Sequence, residues 1–144
     1  MLSRRTIAFL FAAMFLLHAC KDEVQSFDHA RDIIIGEVLE KDSVSTAIRA
    51  FMLRDPLKRG DRVAPLGYPE KTITIDRRVW FCWVDQDYHA DFAHSTQFIF
   101  LSVQKGALRV ESQSWSPVLN DTIILWRDSA DPEYDSAIIF QQSR

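Results

Sequence analysis

The sequence predicts an α+β protein in which one or two N-terminal helices pack on a curled antiparallel β-sheet. Three observations carry this reading. Patterns with helical spacing end by Met52, and patterns with strand spacing begin at Thr72, the order expected of helices followed by an antiparallel sheet. From Arg78 to Trp115 the chain alternates dense apolar runs with polar segments, as strands joined by turns do. The first of those runs, Val79 to Val84, is apolar at every position, so it belongs inside the sheet with both faces covered.

Taken in order, the chain begins with an address. Arg4 and Arg5 form a short basic region, Ile7 to Leu17 is unbroken apolar sequence, and Leu17 His18 Ala19 Cys20 closes it. The apolar run falls short of the roughly 18 to 20 residues that a permanent membrane helix needs, which makes it a signal peptide pattern. An ordinary secretory signal with a chance cysteine is one reading. The ending also resembles the lipobox of bacterial lipoproteins, with Leu17, Ala19 and Cys20 in place and His18 where a smaller residue is usual. That resemblance implies cleavage before Cys20 and acylation of its sulfur, with palmitate-type chains holding the protein to a membrane of the cell envelope. Each buried methylene of such an anchor contributes about 0.8 kcal/mol. Lys21 stands where many lipoproteins retained in the inner membrane carry aspartate, so the resemblance implies the outer membrane more than the inner.

The expected organisation is therefore a signal peptide over residues 1–19, a lipidated tether over 20–28 and one α+β domain over 29–144. Ala30, Ile33, Ile34, Val38 and Leu39 recur at roughly helical spacing. Val44, Ala47, Ile48, Phe51 and Met52 predict a second, amphipathic helix, with Asp42 or Ser43 as its cap and Pro56 as its limit. Leu57 to Glu70 reads as loop, punctuated by Gly60, Pro65, Gly67 and Pro69. Thr72 to Ile75 alternates as a short strand, and Asp76 and Arg77 turn it towards the central run. Gln97 to Val103 and Leu108 to Glu111 supply the next strands, with a turn at Lys105 and Gly106. Ser116 Pro117 and Asn120 Asp121 mark further turns, Ile123 to Trp126 a strand, Arg127 to Asp135 a polar loop, and Ala137 to Phe140 a closing strand. The layout is similar to that of cystatin-like folds, an analogy that carries no function. A small β-barrel or sandwich is the alternative.

Alternation along the central strands assigns their faces. Val79, Phe81 and Trp83 share one side and Trp80, Cys82 and Val84 the other, so the two tryptophans cannot form one platform. Leu108 and Val110 oppose Arg109, Glu111 and Gln113, which predicts one wet side for that strand. A helix is expected over one face of the sheet, with later strands and Trp115 or Trp126 over the other.

Composition excludes some classes of function. Removal of the signal leaves 15 basic against 20 acidic side chains, a formal charge of −5, which suits neither nucleic acid nor anionic lipid. Once Cys20 is acylated, Cys82 has no partner in the chain, and its place in an apolar strand predicts a buried, reduced core residue.

The candidate site is the connection after Val84. Asp85, Asp87, His89, Asp91 and His94 put three aspartates and two histidines into a loop longer than the two to five residues typical of hairpins. Such a mixture suits zinc or a similar divalent ion, with His89, His94 and Asp91 as the ligands. It fails as an EF-hand calcium loop, because Ala90 and Thr96 stand where glycine and glutamate are needed. The bland alternative is a solvated acidic turn anchored by Phe92. Trp115, beside Pro117 and a polar strand face, is the aromatic best suited to a surface contact. No glycine-rich phosphate loop, Ser/His/Asp order or helical His-Glu motif is present. The sequence thus predicts a non-enzymatic, lipid-anchored envelope protein that acts by binding. An inhibitor, an immunity factor or an assembly accessory would fit, using this loop and Trp115 to meet a protein partner. The alternative is a divalent-metal protein, with hydrolytic activity as one option, built on the same loop.

Overall fold

The computed structural model describes residues 23–41, 47–90, 93–123, 126 and 133–143. The chain forms helix α1 (Phe27–Ile34) and strands β1 (Ile48–Met52), β2 (Arg62–Pro65), β3 (Ile73–Thr74), β4 (Val79–Asp85), β5 (Thr96–Ser102), β6 (Leu108–Gln113), β7 (Pro117–Leu119) and β8 (Thr122–Ile123), then a helical turn α2 (Tyr134–Ala137) and strand β9 (Ile138–Gln142). All strand pairings are antiparallel, and they make a five-stranded sheet in the order β6-β5-β4-β1-β9 and a four-stranded sheet in the order β3-β2-β7-β8. The α+β class is therefore as expected, with a second sheet in addition. Cys20 and the whole signal segment lie outside the described residues. Among the described residues no helix is long and apolar enough to cross a membrane.

Helix α1 starts where Ser26 accepts the His29 backbone N–H at 3.2 Å, satisfying one of the otherwise orphaned donors of the first turn. Asp28 adds negative charge at the positive end of the helix dipole. Ala30 and Ile34 form the buried stripe. Leu39, five residues beyond Ile34, stays on that stripe because Ile35–Leu39 widens to a π-turn in which the Glu40 N–H bonds the Ile35 carbonyl at 2.9 Å. These side chains pack with Trp80, Cys82, Val84, Ile99 and Leu101 on one face of the large sheet. Packing begins ahead of the expected domain start at residue 29. Val24 is only 1% exposed, its N–H bonds the Val103 carbonyl at 2.8 Å, and its own carbonyl accepts the Trp80 indole N–H at 2.7 Å. The folded part thus begins ahead of residue 29.

The predicted second helix is overturned where it is described, and its cap residues Asp42 and Ser43 lie outside the described residues. Ile48–Met52 is β1, a strand inside the large sheet, paired with β4 on one side and β9 on the other. A strand covered on both faces needs no alternation, and over so few residues its apolar run also satisfies helical spacing. Arg62–Pro65, expected to be loop, is β2. Val63 is fully buried between Ile73 and Leu119, and Pro65, which has no N–H to give, sits at the strand's end opposite Pro117. The Ser116 Pro117 turn likewise gives way to β7. Asn120 and Asp121 do make a turn. Their φ values of 48° and 64° belong to the two-residue hairpins whose twist matches that of the strands.

The central strands match expectation closely. β4 is buried from Val79 to Val84, β5 pairs with it over its whole length, and Trp80 and Trp83 enter different cores. The wet and dry sides predicted for β6 are not so distinct. Val110 is 43% exposed, because this edge strand lies beyond the cover of α1. The second face of the large sheet, bearing Phe51, Phe81, Trp83, Phe98 and Phe100, is covered by Val63, Ile75, Ile73 and Leu119 of the smaller sheet region and by Trp126. At one end this cover stops, and the site opens there.

Candidate functional site: a donor-rich cavity at the end of the sheet

Strand register builds the site. Opposite residues in antiparallel strands share a face, so Phe51, Trp83 and Phe98 form one row, and Arg49, Asp85 and Thr96 form the next row on the same side. The first row is core. The second is polar, and above it lies a cavity of ≈ 190 Å³ lined also by Tyr88, His94, Trp115, Ser116, Trp126 and Tyr134.

The floor is aromatic. Phe51, Trp83 and Trp126 lie within 17° of parallel, with centroid separations of 5.2, 5.7 and 6.4 Å. Near-equal separations describe an offset cluster, since the outer members of a three-ring column would be about twice as far apart as neighbours. Tyr134 meets Phe51 edge-on at 5.3 Å.

The rim carries the charge. Asp85 is the last residue of β4, with a side chain only 13% exposed, and is not part of a solvated loop. Its Oδ1 accepts from His94 Nε2 at 2.5 Å and from the Asp87 backbone N–H at 3.2 Å. The second contact shapes the turn that returns the chain to β5. Arg49 faces Asp85 in the register but directs its guanidinium elsewhere. Its Nε donates to Gln141 Oε1 at 3.1 Å, its Nη1 donates to the Tyr134 hydroxyl, and its Cζ sits 4.0 Å from the Tyr88 ring centroid. Among the described residues it forms no ion pair, so a half-buried cation rests on neutral partners and an aromatic face.

Two further groups point to incomplete chemistry. Trp83 Nε1 and Ser116 Oγ are buried and have no hydrogen-bond partner among the described residues, and both residues line this cavity. Buried polar atoms are nearly always satisfied, because leaving one unmet costs about 1 to 3 kcal/mol. A second depression, of ≈ 250 Å³, lies between β3 and β6. Its cations are already matched, Arg77 to Asp76 at 2.8 Å and Arg109 to Glu111 at 2.7 Å.

The candidate residues from the sequence separate here. Asp85, His94 and Trp115 come together at the cavity. Asp87 contributes its N–H to Asp85, while His89 is exposed and packs on Tyr88 at 4.2 Å. Asp91 lies outside the described residues. No group of three metal-capable side chains converges among the described residues. Cys82 is fully buried on the opposite face, where desolvation pushes its thiol pKa far up, as expected of a core cysteine. Trp126 covers this face as expected, while Arg49, Ser116 and Tyr134 have no place among the candidate site residues of the sequence. Only Arg49 left a trace in the sequence, as a lone charge inside the apolar run Ala47 to Met52. In comparisons with known proteins, no family model, no curated protein and no solved structure matches the chain.

Proposed function

We propose that this is a lipid-anchored protein of the cell envelope, held by an acylated Cys20 in the outer membrane rather than the inner, whose domain acts by binding. The binding site is the cavity bounded by Arg49, Asp85, His94 and Trp115, with the 85–94 connection and Trp115 as the rim that a partner meets. One observation carries the reading. Segments far apart in the chain converge on a cavity whose aromatic floor is finished, while two of its buried polar atoms have no partner. Its volume, ≈ 190 Å³, suits a single residue-sized group, either a small molecule or one side chain or chain end of a protein partner. The short apolar segment ending in Leu17 His18 Ala19 Cys20 supports the anchor.

Two measurements test the two halves. The wild type is expected to incorporate labelled palmitate and the Cys20→Ser variant to lose it; absence of label in the wild type removes the anchor. For binding, the full chain and its Trp115→Ala variant are captured from cells and the species retained with each are identified by mass spectrometry. A species present with the wild type and lost from the variant is expected. Identical profiles would remove the cavity as the binding site.

A further inference from the structure

The donors and acceptors around the cavity are unequal in number. Trp83 Nε1–H can only donate, and it is unmet in a side chain 3% exposed. Ser116 Oγ, 5% exposed, has a proton to give and no partner among the described residues. Tyr134 accepts from Arg49 through its oxygen and so keeps its own hydroxyl proton for another acceptor. Arg49 has used two of its five N–H groups on neutral oxygens and has met no carboxylate among the described residues. The one carboxylate in the row, Asp85, is engaged by His94 Nε2 and the Asp87 N–H.

A group that completes this cavity brings acceptor oxygens for these donors, and Arg49, which forms no ion pair among the described residues, favours one that is negatively charged. We propose that the cavity recognises a carboxylate, carried on a residue-sized apolar or aromatic body, with Arg49 as its counter-ion and Trp83 Nε1–H and Ser116 Oγ as its hydrogen-bond donors. This inference rests on the binding reading above and names the chemistry of what is bound. A carboxylate fits better than a phosphate because its single negative charge matches that of Arg49, the one lysine or arginine lining the cavity among the described residues, and its planar fork suits a guanidinium. The body attached to it would meet the aromatic surface of Phe51, Trp83 and Trp126. Either a free small acid or the C-terminal residue of a peptide presents this chemistry.

The test titrates the ¹⁵N-labelled full chain with benzoate, benzamide, inorganic phosphate, and the tripeptide Ala-Ala-Phe with its C-terminus free or amidated. The readout is the indole N–H resonance of Trp83, assigned by its loss in Trp83→Phe. Benzoate or the free-acid peptide is expected to move that resonance downfield in a saturable way, with the neutral counterpart at least about tenfold weaker. Saturation by benzoate places recognition in a free small acid, and saturation by the free-acid peptide alone places it in a chain end. Arg49→Gln is expected to weaken the carboxylate about tenfold or more, and Ser116→Ala, a smaller change, to weaken it measurably in a folded protein. Equal affinity for acid and amide, or tighter binding of phosphate than of either acid, would overturn the proposal. So would the absence of any response to every carboxylate. In each of these cases a Trp115-dependent species in the capture experiment would leave the binding reading standing, so the two failures are distinguishable.

Discussion

Strand β4 carries two tryptophans three residues apart, and the two faces they enter differ in one respect above all. On the helix side, Trp80 is 3% exposed, meets Phe27 edge-on at 6.3 Å and gives its indole N–H to the Val24 carbonyl at 2.7 Å. On the other side, Trp83 is equally buried and stacks on Phe51, yet its N–H meets nothing among the described residues. The first face is a finished core in which a polar atom was matched by drawing the chain ahead of α1 onto the sheet. The second is core up to the Phe51 and Trp83 row, and beyond that row it becomes a cavity edged with charge. Burial therefore does not distinguish the two faces. Satisfaction of polar groups does.

The largest effect is expected from cutting into the floor that both roles of the second face share. Phe51 is 1% exposed and touches Trp83, Trp126 and Tyr134, so Phe51→Ala should cost about 3 to 5 kcal/mol in urea denaturation. A loss below about 1 kcal/mol would mean that this face is not a packed core.

The next effect separates the two tryptophans directly. Trp80→Phe strands the buried Val24 carbonyl, whereas Trp83→Phe removes a donor that had no partner. Trp80→Phe should be the more destabilising by about 1 to 2 kcal/mol, measured by paired denaturation curves. Equal losses would erase the distinction between the faces.

The two loop histidines give a smaller version of the same contrast. His94 is 19% exposed and bonded to Asp85, so His94→Ala should cost about 1 to 2 kcal/mol; the exposed His89→Ala should fall within about 0.5 kcal/mol of the wild type. The two histidines were equivalent as sequence, since each stands in a run of acids and small residues. What distinguishes them is that the chain returns beside Asp85, which only the pairing of β4 with β5 decides.

The same reason governs how much else was legible. Runs such as Val79 to Val84 and Gln97 to Val103 identify themselves, because so many aromatic and branched residues leave no choice but a buried strand. Ile48–Met52 carries helical spacing as well as strand character, and a helix there hides the one fact that places Arg49 across from Asp85. Ser116 and Tyr134 carry no local signal; they reach the cavity through pairings and packing with segments far away in the chain. Three of the candidate residues, Asp85, His94 and Trp115, line one cavity in the structure, and they stand out in the sequence because polar and aromatic residues next to a strong strand are visible without its register.

The smallest effect lies on the cover of the second face. Asp61 accepts the Lys58 backbone N–H at 2.7 Å and the Asn120 side-chain amide at 3.0 Å, which together hold its carboxyl pKa below the ordinary value. A lowered folded-state pKa stabilises the protein above the unfolded value, near about 3.9, and that contribution is lost as pH falls through the folded value. Asp61→Asn should therefore show a shallower loss of stability below about pH 4 than the wild type, in acid denaturation followed by circular dichroism. An unchanged acid limb would show that this clamp between β2 and the β7–β8 turn adds nothing.

Hydrogen exchange at the two indole nitrogens, read from one ¹H–¹⁵N spectrum of the ligand-free protein, tests the central distinction most directly. The Trp80 N–H, bonded to Val24 and sealed by α1, should exchange only on large-scale unfolding. The Trp83 N–H, without a partner among the described residues and carried by a side chain that lines the cavity, should exchange markedly faster and become protected when a carboxylate is bound. Equal protection of both indoles in the free protein would contradict the account.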